Sequence, residues 1–199
     1  MKRVSVVSIV MLLIVSLMGC NSSQQSAKPG NISAADLTER EKTILSSAAD
    51  HAFVFDFNAG GTYKQADVWV EKYVAGKLTG KINRISTEVK NNGTLIFTVS
   101  NAIEGTSQSL FSTAIHSDGT TFTGKGSEPA VDQGKAIVEE TNPNDSIPIK
   151  GRMVLASICY SKEQEDVRSL STDFYEHPER HMDELKSYDV IYLLRSEFK

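Results

Sequence analysis

The sequence predicts an α+β domain whose body is antiparallel β-structure, either a sandwich or a curved sheet. Three observations predict this class. Apolar and polar residues alternate in short segments from residue 52 onward, as in half-buried strands. Glycine-containing turns separate these segments at short intervals. Helical periodicity is confined to one segment at the start of the domain and one segment before the last strand.

The first predicted element is a helix over residues 33–51. Ser33 can serve as its N-cap, and Asp36 lies at the capping-box position three residues later. Leu37 and Ile44 fall on one face, while charged residues occupy the other face. We therefore expect this helix to lie across the sheet that follows.

Strands with clear alternation come next. Phe53, Phe55 and Phe57 alternate with other residues in the first strand, and residues 66–74 form the second. Asn-Gly and Asp-Gly pairs supply the positive φ angles that tight hairpins need. They predict one hairpin between 82–90 and 94–100 across Asn91-Asn92-Gly93, and another between 109–116 and 120–123 across Ser117-Asp118-Gly119.

The second half of the domain contains one irregular region and two strongly apolar strands. Residues 124–149 are polar and contain three prolines, which indicates a long loop with a short helical turn at 132–140. Residues 152–160 and 190–194 are apolar on both faces, so we expect them to be central neighbours in the sheet. A helix that begins at Pro178 and runs to about residue 188 separates them.

The N-terminus has the features of an export signal. Lys2 and Arg3 precede an apolar run over 4–17, and this run ends in Leu17-Met18-Gly19-Cys20. These four residues resemble the lipobox of bacterial lipoprotein precursors, although Met18 stands where Ala or Ser is usual. The resemblance implies cleavage before Cys20 and attachment of diacylglycerol to the Cys20 thiol. The membrane is then a partner through this anchor.

This resemblance divides the chain into three parts. Residues 1–19 are the signal peptide, residues 20–32 are a polar flexible tether, and residues 33–199 are a single β-rich domain. The expected location is the extracytoplasmic side of the cell membrane, with the protein anchored by its lipid.

Charge argues against nucleic acid as a partner. The chain has 21 basic and 25 acidic residues, and removal of Lys2 and Arg3 increases the acidic excess. No basic run offsets it, so polyanions would be repelled.

The cysteine count argues against an intramolecular disulfide. The chain has two cysteines, and lipidation uses Cys20, so Cys159 is left alone. Cys159 lies in an apolar strand without a basic neighbour, which is typical of a buried, unreactive thiol.

Two sets of residues are candidate sites. His177 and His181 have the i, i+4 spacing of metal ligands, and acidic residues surround them. A solvated helix start is the alternative meaning of that cluster. Trp69 and Tyr73 share one face of the second strand, where exposed rings could stack on a sugar or anchor a partner protein. Core packing is the alternative for both rings.

No known catalytic signature is present, and we expect no cofactor. The sequence therefore predicts a non-enzymatic binding or interaction module of the bacterial envelope, with an envelope protein or glycan as partner. One alternative is an envelope hydrolase or metal-dependent enzyme that uses His177 and His181. Another is a structural envelope protein or an inhibitor of an exported enzyme.

Overall fold

The computed structural model describes residues 30–100, 107–131, 134–161 and 168–199. They form two antiparallel sheets that pack face to face, with a short helical layer against the outer face of one sheet. The predicted β-rich sandwich with a few helices is confirmed. Cys20 and most of the predicted tether lie outside the described residues.

Sheet A has six strands in the order β7-β6-β5-β2-β1-β9, and sheet B has five in the order β4-β3-β11-β10-β8. The strands are β1 (Asn31–Ala34), β2 (His51–Asn58), β3 (Gln65–Val74), β4 (Lys77–Glu88), β5 (Asn92–Ser100), β6 (Gln108–Ser117), β7 (Thr120–Pro129), β8 (Ala136–Thr141), β9 (Ile147–Pro148), β10 (Arg152–Ser161) and β11 (Val190–Phe198).

The main core lies between the sheets. On β2, Phe53, Phe55 and Phe57 all point into it, as their alternation predicts. Val68 and Val70 of β3 approach it from sheet B. Burial of these apolar faces is the principal force that holds the two sheets together.

The two most apolar strands are neighbours at the centre of sheet B. β10 pairs antiparallel with β11, and both are buried along almost their whole length. This confirms the prediction for residues 152–160 and 190–194. Their inner faces join the main core, and their outer faces meet the helical layer.

The helical layer is less regular than the predicted helix over 178–188. It consists of α2 (Thr172–Glu176) followed by 3-10 turns at Pro178–Arg180 and Met182–Ser187. Phe174, Tyr175 and Leu185 are buried against sheet B. Because proline has no backbone N–H and restricts the residue before it, α2 ends at His177 rather than continuing.

The predicted helix over residues 33–51 has the wrong boundaries. Residues 31–34 form β1, which lies between β2 and β9, so the folded part begins inside the predicted tether. The helix α1 (Glu39–Ala48) starts later, and its capping box is formed by Thr38 and Glu41, not by Ser33 and Asp36. None of the α1 residues is buried, so this helix does not lie across the sheet. Among the described residues, no helix has the length and apolar character needed to span a membrane.

The prediction of a hairpin across Asn91-Asn92-Gly93 is also wrong. β4 pairs with β3 in sheet B, whereas β5 pairs with β2 and β6 in sheet A, so the chain changes sheets at residues 89–91. Gly93 has a different role, because a Cβ there would overlap the His116 carbonyl oxygen and the Phe57 ring. The predicted turn at Asp118-Gly119 is confirmed, and both residues have positive φ.

The predicted long loop over 124–149 is mostly strand. β7 extends to Pro129, and β8 replaces the helical turn that was expected at 132–140. Among the strands that the structure describes, β8 pairs with β10 alone and forms one edge of sheet B. Its sequence, Ala-Ile-Val-Glu-Glu-Thr, lacks the strict alternation that would have identified it.

One side of the sandwich is closed where β4 of sheet B meets β7 of sheet A. A bulge in β4 places Asn83 in the left-handed region, and its amide donates to the carbonyls of Phe111 (3.2 Å) and Gly124 (2.9 Å). A side chain at Gly124 or Gly126 would collide with β4. The glycines therefore allow the two edges to approach each other.

Candidate functional site

The two candidate aromatic residues are buried on the outer face of sheet B. Trp69 is 1% exposed and Tyr73 is 6% exposed. Tyr73 belongs to the core beneath the helical layer, and the Trp69 ring is covered by Lys81 and Arg84, which lie 5.4 and 5.2 Å from its centroid. Neither ring is available for stacking on a ligand in this structure, which corrects the expectation of an exposed aromatic surface.

Both side chains instead donate hydrogen bonds to the buried carboxylate of Glu71. Trp69 Nε1 donates to Glu71 Oε1 (2.9 Å), and the Tyr73 hydroxyl donates to Oε2 (3.0 Å). Lys81 and Arg195 lie 3.8 and 3.6 Å from the same carboxylate. Burial, together with the negative charge of Glu71, raises the pKa of Tyr73 to about 12. The Tyr73 hydroxyl is therefore a permanent donor.

A second buried carboxylate lies two residues before Trp69. Asp67 is 2% exposed and accepts from Arg84 (2.6 Å), Lys199 (2.8 Å), Gln65 (3.0 Å) and the Ser86 hydroxyl. Burial alone would raise the pKa of Asp67, yet the four hydrogen bonds hold that pKa well below its usual range. Asp67 is ionised at neutral pH.

These groups form a charged face on sheet B, made up of Asp67, Trp69, Glu71, Lys81, Arg84, Arg195 and Lys199. The exposed tips of this face are cationic, and the carboxylates lie beneath them. An anionic ligand would have to compete with Asp67 and Glu71 for these cations. Removal of one partner would leave a buried charge unpaired, so these contacts are costly to disrupt.

The histidine pair is not assembled into a metal centre. His177 is exposed at the end of α2, and His181 Nδ1 lies 3.3 Å from Glu184 Oε1. In the part of the chain that the structure describes, no three His, Cys, Asp or Glu side chains form a group that could hold a metal ion. The predicted metal pair thus lacks a third ligand among those residues.

Cys159 is fully buried on the outer face of β10, beneath the helical layer. Burial raises the pKa of its thiol to about 12, although Ser157 partly offsets this effect. A thiol with such a pKa stays protonated at neutral pH and is a poor nucleophile. The chemistry of Cys159 in the structure agrees with the packing role that its apolar surroundings predict.

The side of the sandwich opposite the β4–β7 contact has a different character. Here His51 of β2 reaches across to sheet B, and its Nδ1 lies 2.6 Å from Glu139 Oε2 of β8. Ile137 of β8 is 43% exposed, and Ala34 of β1 is exposed although its neighbour Phe55 faces the core. We call this region, made up of β8 and its contact with His51, the open side.

A pocket lies at the end of α1, and its lining includes Asp50, the residue directly before His51 in the sequence. Its volume is about 410 Å3, and it is lined by Ser46, Ser47, Ala48, Ala49, Asp50 and Ser100. Ser100 donates to the Ala48 carbonyl at the end of α1 (3.3 Å). The lining groups are small and polar, and this composition indicates no particular ligand.

Sequence reasoning missed the charged face and the open side for the same reason. Asp67 and Glu71 alternate with apolar residues in β3, and this pattern is also that of an ordinary solvated strand face. The two carboxylates are enclosed by neighbouring side chains of β3 and β4, by Arg195 of β11 and by Lys199. His51 and Glu139 are 88 residues apart in the sequence, and no local signal connects them.

Comparison with known proteins identifies the family. A family model described as the YgaN domain matches residues 31–198. The chain belongs to the YgaN domain family. The matched region begins at the first residue of β1 and ends at the last residue of β11, so the YgaN domain coincides with the two-sheet fold. No curated protein matches the chain significantly. No solved structure does so either.

Proposed function

We propose that this YgaN-domain protein is a lipid-anchored, extracytoplasmic binding module of the bacterial envelope. The observation that carries the proposal is the N-terminal sequence, in which Lys2 and Arg3, an apolar run and Leu17-Met18-Gly19-Cys20 occur in the order of a lipoprotein precursor. The matched domain begins after this segment, at residue 31. An anchor at Cys20 would therefore leave the whole domain free to fold.

The short distance along the chain between the anchor and the domain also fits a membrane-proximal module. Gly30 donates its N–H to the Asn58 carbonyl (2.8 Å) and is tied to sheet A. Whatever its conformation, the chain from Cys20 to Gly30 reaches at most about 35 Å. A domain held this close to the membrane would bind partners that are themselves at the envelope surface.

A binding role, rather than catalysis, suits the chemistry of the described residues. The carboxylates Asp67 and Glu71 are saturated by donors, and the Cys159 thiol is buried and protonated. His181 lies against Glu184, and His177 is exposed at the end of α2. The open side, by contrast, offers a strand edge with an exposed apolar residue.

Anchoring is tested by metabolic labelling with a palmitate analogue, followed by detergent phase partition of the full chain. We expect the wild-type chain to be labelled and to enter the detergent phase. Cys20→Ser should lose both properties. Cys159→Ser is the matched control, because it removes the other cysteine and should leave labelling unchanged. A wild-type chain that is unlabelled and remains in the aqueous phase would exclude the anchor.

Binding is tested by thermal melting of the full chain in a mild detergent, with envelope glycan fragments, peptides and divalent ions added in turn. A melting point raised by a glycan or a peptide would support a binding module. A shift with a divalent ion that disappears in His181→Ala would instead support the metal-dependent enzyme.

A further inference from the structure

The edge strands of the two sheets differ in how they are protected. β4 and β7 cover each other where Asn83 joins them, and β9 is two residues long and ends in Pro148, which has no N–H to offer. β8 has six residues and no proline. Within the described residues, β8 is an exposed edge strand that is long enough to pair with another strand.

The direction of the free backbone groups on β8 follows from one hydrogen bond. Asn142 N–H donates to the Leu155 carbonyl (2.7 Å), so the backbone of Asn142 faces β10. In an antiparallel pair this direction alternates along the strand. The N–H and C=O groups of Ile137, Glu139 and Thr141 therefore point away from β10, where the described residues place no partner strand.

The side chains of β8 show what kind of strand would fit. Glu140 Oε2 is buried without a hydrogen-bond partner, on the same face as Ser157 of β10. Glu139 lies on the opposite face and is half exposed despite its contact with His51. A strand next to β8 would place one Cβ atom about 5 Å from the Cβ atom of Glu139 and another about 5 Å from that of Glu140. Basic side chains would satisfy both, whereas acidic ones would be repelled.

The order of residues along β8 specifies the partner further. Ile137 and Val138 precede Glu139 and Glu140, so an antiparallel partner would present two basic residues followed by two apolar ones. A second copy of β8 does not meet this requirement. In the symmetric antiparallel pairing of two β8 strands centred on Glu139, the two Glu139 residues would lie opposite each other and Glu140 would lie opposite Val138.

We propose that the β8 edge binds an extended polypeptide segment of the basic-basic-apolar-apolar type, which pairs antiparallel with β8 and extends sheet B. The backbone bonds give affinity, and Glu139 and Glu140 select the sequence. This inference deepens the proposed binding function by naming the partner class and the surface. It does not depend on the lipid anchor.

The test uses the full chain in a mild detergent and short fluorescent peptides with fluorescence anisotropy as the readout. The first peptide is Ser-Thr-Lys-Lys-Val-Val-Thr-Ser. The second has the same composition with the central order reversed to Val-Val-Lys-Lys, and the third replaces both lysines with glutamate. We expect the first peptide to bind most tightly, and we expect its affinity to fall as salt is added.

Variants of β8 then locate the binding site. Thr141→Pro removes an outward N–H without touching the β8–β10 ladder, and it should weaken binding about tenfold or more. Thr141→Val keeps the N–H and the branched shape, so its affinity should equal that of the wild type. The double variant Glu139→Lys with Glu140→Lys should reverse the preference and bind the glutamate peptide. This reversal is a gain of binding, which misfolding cannot produce.

The inference is overturned if the wild-type chain binds none of the peptides or if Thr141→Pro binds as well as Thr141→Val. It is also overturned if the chain self-associates in a way that Thr141→Pro abolishes, because a second copy would then occupy the edge. In each of these cases the Cys20 labelling result is unaffected, so the anchor part of the proposed function is judged separately.

Discussion

Asp67 connects neighbouring strands at one end of sheet B through its hydrogen bonds. Its donors come from β3, from β4 and from Lys199, which directly follows β11. One buried carboxylate thus joins three segments of the chain. Arg84 and Lys199 are about half exposed, so the positive charges face water while the negative charge is enclosed.

We predict that Asp67→Asn destabilises the domain by about 2–4 kcal/mol, because the donors around the carboxylate lose a charged acceptor. Urea unfolding measures the loss. Asp183→Asn is the matched control, since Asp183 pairs with Lys186 in full exposure and its replacement should leave stability almost unchanged. Equal effects in the two variants would contradict the importance of burial at Asp67.

The pH dependence follows from the lowered pKa of Asp67. A carboxyl whose pKa is lower in the folded state than in the unfolded state stabilises the fold above its unfolded pKa, about 3.9. That contribution is lost as the pH falls from about 4 towards the folded pKa. We therefore expect the stability difference between the wild type and Asp67→Asn to be constant near neutrality and to shrink below about pH 4. A difference that grows on acidification would have the wrong sign.

Cys159 gives a second prediction at the residue scale. In Cys20→Ser protein it is the remaining thiol, and its burial together with a pKa of about 12 should make it unreactive towards a thiol reagent at pH 8 until the protein unfolds. The rate of labelling with and without urea measures this. Cys159→Ala should cost about 1 kcal/mol in stability. Rapid labelling of the folded protein would contradict the packing role.

At the scale of elements, glycines determine how closely strands approach. Gly93 lies at the start of β5, where the His116 carbonyl and the Phe57 ring leave no space for a side chain. Asn92 and Gly93 form the strongest local hairpin signal in the sequence. In the fold this glycine allows close packing, and β5 pairs with β2 and β6 instead of β4.

We predict that Gly93→Ala destabilises the domain by about 1–3 kcal/mol through overpacking. Gly80→Ala is the control, because Gly80 lies in β4 with no neighbour within 4 Å and without a positive φ. It should be neutral or slightly stabilising, since alanine restricts the unfolded chain. Thermal melting of both variants checks the contrast, and similar melting points would contradict it.

The elements that the sequence predicts correctly are those with strong periodicity or a doubly apolar pattern. β2, β3, β10 and β11 are of this kind. β1 and β8 are short and are defined by their neighbours, so local residues do not reveal them. The candidate sites are even less predictable from the sequence. The burial of Trp69 depends on side chains of β4, and the exposure of β8 depends on its place at the edge of sheet B.

At the scale of the whole molecule, sheet B belongs to two cores. Its inner face packs on sheet A, and its outer face holds the helical layer with Leu185, Phe174 and Tyr175. Ser157 of β10 is joined to that layer by a hydrogen bond between its hydroxyl and Tyr175 OH (2.8 Å). The two cores share strands β3, β10 and β11, so neither can be lost without exposing the other.

We therefore predict that the domain unfolds in one transition and that Leu185→Ala lowers the free energy of unfolding by about 2–5 kcal/mol. Trp69, the single tryptophan, reports on sheet B by fluorescence, and far-ultraviolet circular dichroism reports on all the strands. The two curves should coincide. Ile44→Ala, at an exposed position of α1, should leave them unchanged. Separate transitions would show that the helical layer melts independently.

The position of β11 affects how a nascent chain can fold. The last strand, Val190–Phe198, lies at the centre of sheet B between β3 and β10. Because synthesis proceeds from the N-terminus, β3 and β10 are made before the strand that joins them. Long-range pairing of this kind folds slowly. A polypeptide interrupted before residue 190 would therefore leave β3 and β10 without their shared neighbour, and it would expose two apolar strands to aggregation and proteolysis.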